Sequence, residues 1–281
     1  MLRIVADTAA DLPVAWIRDY AVDLIPLNIH FGEKMYLQGI DLTDHEFYQL
    51  ANETGKIPKT SQPSPAQFVD FYRKTALKGD TVLSIHVTGK LSGTMASAEM
   101  AANELSGEMH VIPFDSGCGS AGMGYMCKEA RLLERSGASI EQIVAHLETI
   151  RKEMQVILTL NTLEYARMSG RVKALQAALA SILNVKPIIT LKDGVLDMSD
   201  KVRTRRKALE TILDMVAERV GDRPVNAAVV HAIDESSAQE LMEHVRQRLN
   251  CRELILTGLS VAIAANLGPG TIGIIAYPVV E

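Results

Sequence analysis

Two textures of hydrophobic and polar positions alternate along the chain. Short apolar runs rich in β-branched residues end in polar turns, and segments with apolar residues at helical spacing follow them. Residues 2–6 form the first strand, and Asp7, Thr8, Asp11 and Pro13 behind it read as a turn and a helix start. Residues 23–30 predict a second strand that Pro26 interrupts, at an edge or a bulge. Thr43 and Glu46 have the spacing of a capping box ahead of Phe47 and Leu50. Residues 55–65, GKIPKTSQPSP, predict a breaker-rich loop with three prolines. At its end Ser64, Pro65 and Gln67 suit the N-cap, N1 and N3 of a helix that turns Phe68, Phe71 and Tyr72 to one side. Ser64 is thereby committed to capping, whereas Thr60 and Ser61 have no such local role.

Residues 81–98, TVLSIHVTGKLSGTMASA, read as strand, polar turn and helix, with the helix from Ala96 and Ser92 as its N-cap. Free N–H groups and the hydroxyls of Ser92 and Thr94 at such a junction suit an anion. Residues 109–114 predict another strand, running into a glycine-rich turn and a helix, and Ser139 with Gln142 forms a capping box ahead of Ile143 and Leu147. Beyond residue 150 the texture changes. A strand at 156–160 and a helix from Leu163 to the break at Ser169-Gly170-Arg171 come first. An alanine-rich helix with Val172, Leu175, Leu179 and Ile182 on one face follows. Residues 186–198 read as a hairpin about Asp193-Gly194, which suggests antiparallel pairing unlike the first half. A helix to about Arg219, strands at 225–231, 253–257 and 271–277, and a helix at 236–249 complete the pattern. The shift places a domain boundary near residue 150, giving domains 1–150 and 151–281.

Composition narrows the function classes. A chain of 281 residues with 47% hydrophobic content can bury one large core or two smaller ones. Its net charge of −5 and pI near 5.8 argue against binding nucleic acid by charge. No apolar run approaches the roughly 20 residues of a bilayer-crossing helix. The acidic residues Asp7 and Asp11 interrupt the start of the chain before a signal-like apolar region accumulates, which predicts a cytoplasmic protein. Cys118, Cys127 and Cys251 lack metal-site or paired spacing and read as buried free thiols. The seven histidines show no metal motif.

Four constellations compete for chemistry. Ser92 sits one position late for the G-x-S-x-G nucleophile turn, with no histidine assignable as its base, so a serine hydrolase or acyltransferase is the lesser reading. Gly117, Gly119 and Gly122 match G-x-G-x-x-G but lack the ribose-binding acid at the end of a following strand. Close helix packing is therefore preferred to a nucleotide-binding regulator. Gly89-Lys90 fails as a phosphate loop because Leu91 stands where a hydroxyl is needed. Residues 201–207, KVRTRRK, hold five basic side chains and read as a solvated face or an acidic-partner contact.

Six stretches, IVADTAADLP, KTSQPSP, HVTGKLSGTMASA, FDSGCGSAGMG, KVRTRRKAL and NLGPGTIG, occur in the order and spacing of the DegV family of bacterial fatty-acid-binding proteins. The chain resembles that family over essentially its whole length. The resemblance implies a two-domain α/β protein. Its N-terminal domain would have a mainly parallel sheet flanked by helices, its C-terminal α+β domain a mixed or antiparallel sheet, and the ligand slot would lie between them. It further implies one long-chain fatty acid as ligand, no other cofactor, no metal and no catalysis by the chain itself. A separate fatty-acid kinase would phosphorylate the presented carboxylate for phospholipid synthesis, and residues 201–207 could touch that partner or an anionic membrane. By motif position, Thr60 and Ser92 would be hydroxyl ligands of the carboxylate, with the Gly93 backbone beside them and Ser61, Thr94 and Gly268 as neighbours. Asn266 stands where the family commonly has histidine before its GPG motif. Asparagine can donate a hydrogen bond but cannot become cationic, so the pH response of the head-group site is expected to differ.

Overall fold

The protein is described from a computed structural model covering residues 1–172 and 185–280. It divides into two compact units, Met1–Arg151 with Ser260–Ala262, and Lys152–Leu259 with the chain from Ile263 onward.

The first unit begins with β1 (Leu2–Asp7), α1 (Val14–Asp19), β2 (Val22–Ile25), β3 (Asn28–Phe31), β4 (Lys34–Leu37) and α2 (Asp44–Thr54). It continues with β5 (Lys59–Ser61), α3 (Pro65–Thr75), β6 (Thr81–His86), α4 (Thr94–Glu104), β7 (His110–Asp115), α5 (Ala121–Arg135) and α6 (Ile140–Glu153). Four strands form a wholly parallel sheet in the order β2-β1-β6-β7. Val5 and Val82 from this sheet pack with Phe68, Val69 and Tyr72 of α3 and Ala98 and Ala101 of α4. The alternate residues Ile4, Leu83 and Ile85, fully buried, face the opposite way, where α5 packs on β1 and β6.

Pro26 does more than interrupt the strand expected at residues 23–30. It ends β2, and the chain re-enters as β3 in a separate antiparallel sheet, β4-β3-β5. Residues 59–61 of the expected loop are the third strand of that sheet. The capping boxes at Thr43/Glu46, Ser64/Gln67 and Ser139/Gln142 all form.

The second unit contains β8 (Gln155–Thr159), α7 (Glu164–Ser169), β9 (Lys186–Lys192), β10 (Val195–Val202), α8 (Arg205–Val220), β11 (Val225–His231), α9 (Glu235–Arg248), β12 (Cys251–Gly258) and β13 (Ile272–Pro278). Its sheet runs β10-β9-β8-β13-β11-β12 and is mixed, because β11 pairs in parallel with β12 and antiparallel with β13. Asp193 and Gly194 both have positive φ, 51° and 76°, the backbone of a type I′ hairpin. Ala208, Ile212 and Val216 of α8 and Ala238, Leu241 and Val245 of α9 join Ile157, Val229 and Ile274 in one apolar core. Val172 is buried and bridged to Leu196, while the helix expected from it through Leu175, Leu179 and Ile182 lies outside the described residues. Cys118 and Cys127 are buried free thiols as expected, with burial pushing Cys118 up to about 12, whereas Cys251 is only half-buried. Among the described residues no helix is long and apolar enough to cross a membrane, and no cluster of histidine, cysteine or carboxylate could hold a metal.

A buried polar chain ties the first unit together. Tyr72 Oη donates to Ser84 Oγ at 2.9 Å, and Ser84 Oγ meets His86 Nε2 at 2.7 Å. His86 Nδ1 lies 3.1 Å from Asp7 Oδ2, which also accepts from the Val87 N–H at 3.0 Å, while Asp7 Oδ1 accepts from the Ala9 N–H at 3.0 Å. A carboxylate only accepts, which places the imidazole proton on Nδ1 and leaves Nε2 to accept from Ser84. All four side chains are fully buried, and burial pushes the Tyr72 phenol well above its ordinary value. Asp7→Ala leaves three donors without their acceptor, at about 1–3 kcal/mol each, so the variant is expected to lose roughly 3 kcal/mol or more of stability. Urea unfolding followed by circular dichroism measures this, and a loss below about 1 kcal/mol would mean that the network contributes little.

Candidate functional site

The junction after β6 is held at three successive N–H groups. Val87 donates to Asp7, Thr88 donates to the Cys118 carbonyl at 2.8 Å, and Gly89 donates to Asp115 Oδ2 at 3.0 Å. The N–H groups of Leu91 and Ser92 then both reach back to the Thr88 carbonyl, which closes a tight turn. α4 starts at Thr94, two residues before the predicted Ala96, so Gly93 and not Ser92 is its N-cap. Ser92 Oγ instead lies 2.8 Å from Thr94 Oγ1 and accepts from the Thr94 N–H at 3.3 Å. Gly93 has no side chain to cap the helix, and among the described residues Ser92 Oγ is the one side-chain acceptor the structure records for the opening N–H groups of α4. Ser92 and Gly93 are half-buried and Thr94 is fully buried.

The segment carrying Thr60 meets this junction. β5 pairs with β3 through Asn28↔Ser61, Ile29↔Thr60 and His30↔Lys59. Strand side chains alternate, so Thr60 and Ser61 face opposite ways. Ser61 does have a local role, since its Oγ lies 2.8 Å from His30 Nε2 and 3.4 Å from Asn28 Nδ2. Gln62 follows directly after the strand, and its amide rests on Gly93. A Cβ built on Gly93 would stand 2.8 Å from Gln62 Nε2 and 3.0 Å from its Cδ. The structure therefore brings the KTSQPSP and KLSGT stretches together, with Ser61 turned away. Gln62 gives no signal in the sequence, because its contact with Gly93 is made between segments far apart in the chain.

Asn266 and Gly268 belong to the second unit. Asn266 is half-buried in α10 (Val261–Leu267), and its backbone carbonyl accepts from Ser169 Oγ at 3.1 Å. Gly268 and Gly270 have φ of 89° and 73°, and a Cβ at Gly270 would meet Asn161 Cβ at 2.7 Å. The NLGPG turn is thus packed on the loop after β8 at positions only glycine fits.

The rival constellations fare poorly. Ser92 Oγ has only Thr94 as hydrogen-bond partner among the described residues, and no histidine. In the glycine-rich turn the Gly117 N–H is taken by Asp115 Oδ1 at 2.8 Å, and Arg151 fills the space where a Gly117 side chain would be. A phosphate there would meet a carboxylate already in place. In 201–207, Arg205 pairs with Asp234 at 2.8 Å and Arg206 and Lys207 with Glu210. Lys201 and Arg203 are exposed.

Comparison with known proteins places these features in a family. The family model described as "Uncharacterised protein, DegV family" matches residues 1–279. Protein DegV of Bacillus subtilis is 31% identical over 275 residues, covering 97% of this chain and 98% of that protein. Among solved structures, a DegV family protein from Thermus thermophilus, described for its fatty acid binding, matches with a TM-score of 0.91 and 35% identity over 99% of both chains. A stearic acid-binding protein from Eubacterium ventriosum matches with a TM-score of 0.90 and 26% identity, covering 99% of this chain and 98% of the other. The α/β architecture, with a parallel sheet in one unit and a mixed sheet in the other, agrees with these relatives, and the chain belongs to the DegV family.

Proposed function

We propose that this protein binds one long-chain fatty acid, with the carboxylate held by Thr60, Ser92 and the Gly93 backbone, and carries it without itself catalysing a reaction. The contact between Gln62 and Gly93, which joins the two hydroxyl-bearing segments beside a helix start whose N-cap is a glycine, is the observation that carries this reading. Relatives described as fatty-acid-binding support the ligand class. The energetics divide the work between the two ends of the ligand. Each buried CH₂ contributes about 0.8 kcal/mol, and each hydrogen bond to an ionised carboxylate about 1.5–3 kcal/mol. The tail supplies affinity and the head supplies orientation.

In this reading the oriented carboxylate is presented to a separate fatty-acid kinase, which converts it to an acyl phosphate for phospholipid synthesis in the cytoplasm. Residues 201–207, through the exposed Lys201 and Arg203, would make transient contact with the kinase or with an anionic membrane. Asn266 would complete the head-group environment without a titratable group.

Denaturing mass spectrometry of the purified protein is expected to release a long-chain fatty acid, and added fatty acid to raise the Tm. Absence of both would sink the proposal. Thr60→Val and Ser92→Ala are each expected to weaken fatty-acid binding about tenfold or more. Asn266→His is expected to make affinity vary with pH between about 5 and 8, where the imidazole titrates, and a flat profile would exclude position 266 from the head-group site. Supplied with ATP and a fatty-acid kinase, the loaded protein should yield acyl phosphate, trapped as a hydroxamate. Lys201→Glu with Arg203→Glu should slow that yield or fatty-acid transfer from anionic vesicles, and unchanged rates in both assays would remove the contact role.

A further inference from the structure

On the strength of the fatty-acid reading, we infer that Gln62 is a further carboxylate ligand, whose side-chain amide donates to the head group from the solvent side and favours an ionised acid over a neutral head. Its backbone is fixed, because Asn28 Nδ2 donates to the Gln62 carbonyl at 3.0 Å and Pro63, next in the chain, is buried. The strand turns Ser61 toward His30 and Asn28, and Gln62, the next residue after the strand, leaves on the side of Gly93. The amide then lies across Gly93, with Nε2, Cδ and Oε1 at 2.8, 3.0 and 3.4 Å from where a Cβ would be. Gly93 stands between the two hydroxyl residues Ser92 and Thr94, so the absence of a side chain there is what lets Gln62 settle over the junction.

Among the described residues this side-chain amide makes no hydrogen bond, although its face is in contact with protein. Glutamine carries two N–H donors and one carbonyl acceptor. A carboxylate seated by Ser92 and the first N–H groups of α4 presents only acceptors, so the Gln62 N–H groups match it and its carbonyl turns to water. Hydrogen bonds to an ionised partner are about twice as strong as those to a neutral one, so the benefit falls on the acid and not on an alcohol of the same chain. Being neutral and exposed, Gln62 can hold the head group without enclosing it, which suits a carboxylate that another protein must reach.

The test measures binding of oleic acid and of oleyl alcohol to the full chain by displacement of a fluorescent fatty acid. Gln62→Ala is expected to weaken oleate about tenfold and to leave the alcohol within about twofold. Gln62→Glu keeps the length but replaces the donor by a negative charge. It should weaken oleate further near pH 8 and regain affinity toward pH 5, as the new carboxyl begins to take up a proton. Equal losses for acid and alcohol would reduce Gln62 to a packing residue and overturn the inference, as would unchanged oleate binding in both variants. If the unaltered protein binds neither oleate nor its alcohol, the fatty-acid reading falls and this inference with it. Strong oleate binding indifferent to Gln62 removes the inference alone.

Discussion

The buried carboxylate of Asp7 is the constraint on which the junction after β6 depends. It sits at the C-terminal end of β1 and gathers the N–H groups of Ala9 and Val87 together with the imidazole of His86. Asp115, at the corresponding end of β7, takes the N–H groups of Gly89 and Gly117. Two acidic side chains therefore use up the donors at the near end of the loop, where their own charge would repel any incoming anion. Donors become available only past the turn at Thr88, around Ser92 and the start of α4. The electrostatics of the junction thus favour one end of it for an anion, and Gln62, next after β5, lies over Gly93 at that same end.

What is legible in the sequence is whatever a few consecutive residues decide. The capping boxes at Thr43, Ser64 and Ser139 are readable because both partners lie within one helical turn, and the Asp193-Gly194 hairpin because its turn type demands positive φ at both positions. The strand β5 reads as loop because its stability comes from β3, a partner that local pattern cannot name. Pro26 is recognisable as a disruption, but whether a strand bends there or changes sheet depends on the far pairing of β3. Ser92 suits a cap by residue type, yet the helix begins at Thr94 and the serine serves it from one residue further out. Gln62 gives no local signal since its role is set by a glycine in another segment.

The second unit shows the same division in its sheet. Its antiparallel texture is readable from the hairpin β9–β10, but β13, last in the chain, inserts between β8 and β11. Both of its pairings are antiparallel, and what makes the sheet mixed is the parallel pair β11 and β12, bridged by α9. Because β13 is buried along its whole length, the glycines preceding it must make a turn compact enough to fit against Asn161, Thr162 and Tyr165. The NLGPG stretch is therefore constrained by packing whatever Asn266 does, and a role for Asn266 in binding must be separated from that packing by its side chain alone.

The arrangement of hydroxyls and imidazoles bears on carrier against catalyst. Ser84, His86 and Asp7 have the connectivity of a nucleophile, base and orienting acid, yet all three are fully buried and Ser84 is also engaged by Tyr72. Substrate could not reach Ser84 without opening the core that Phe68 and Tyr72 close. Ser92 is within reach of solvent but has threonine where a base is required. Accessibility and activation are thus placed on different serines. Nucleophilic catalysis needs them on one, whereas holding a carboxylate needs only the accessible hydroxyl and fixed donors around it. A junction held by the buried network and left chemically unactivated at its surface end is consistent with the proposed seat for a carboxylate.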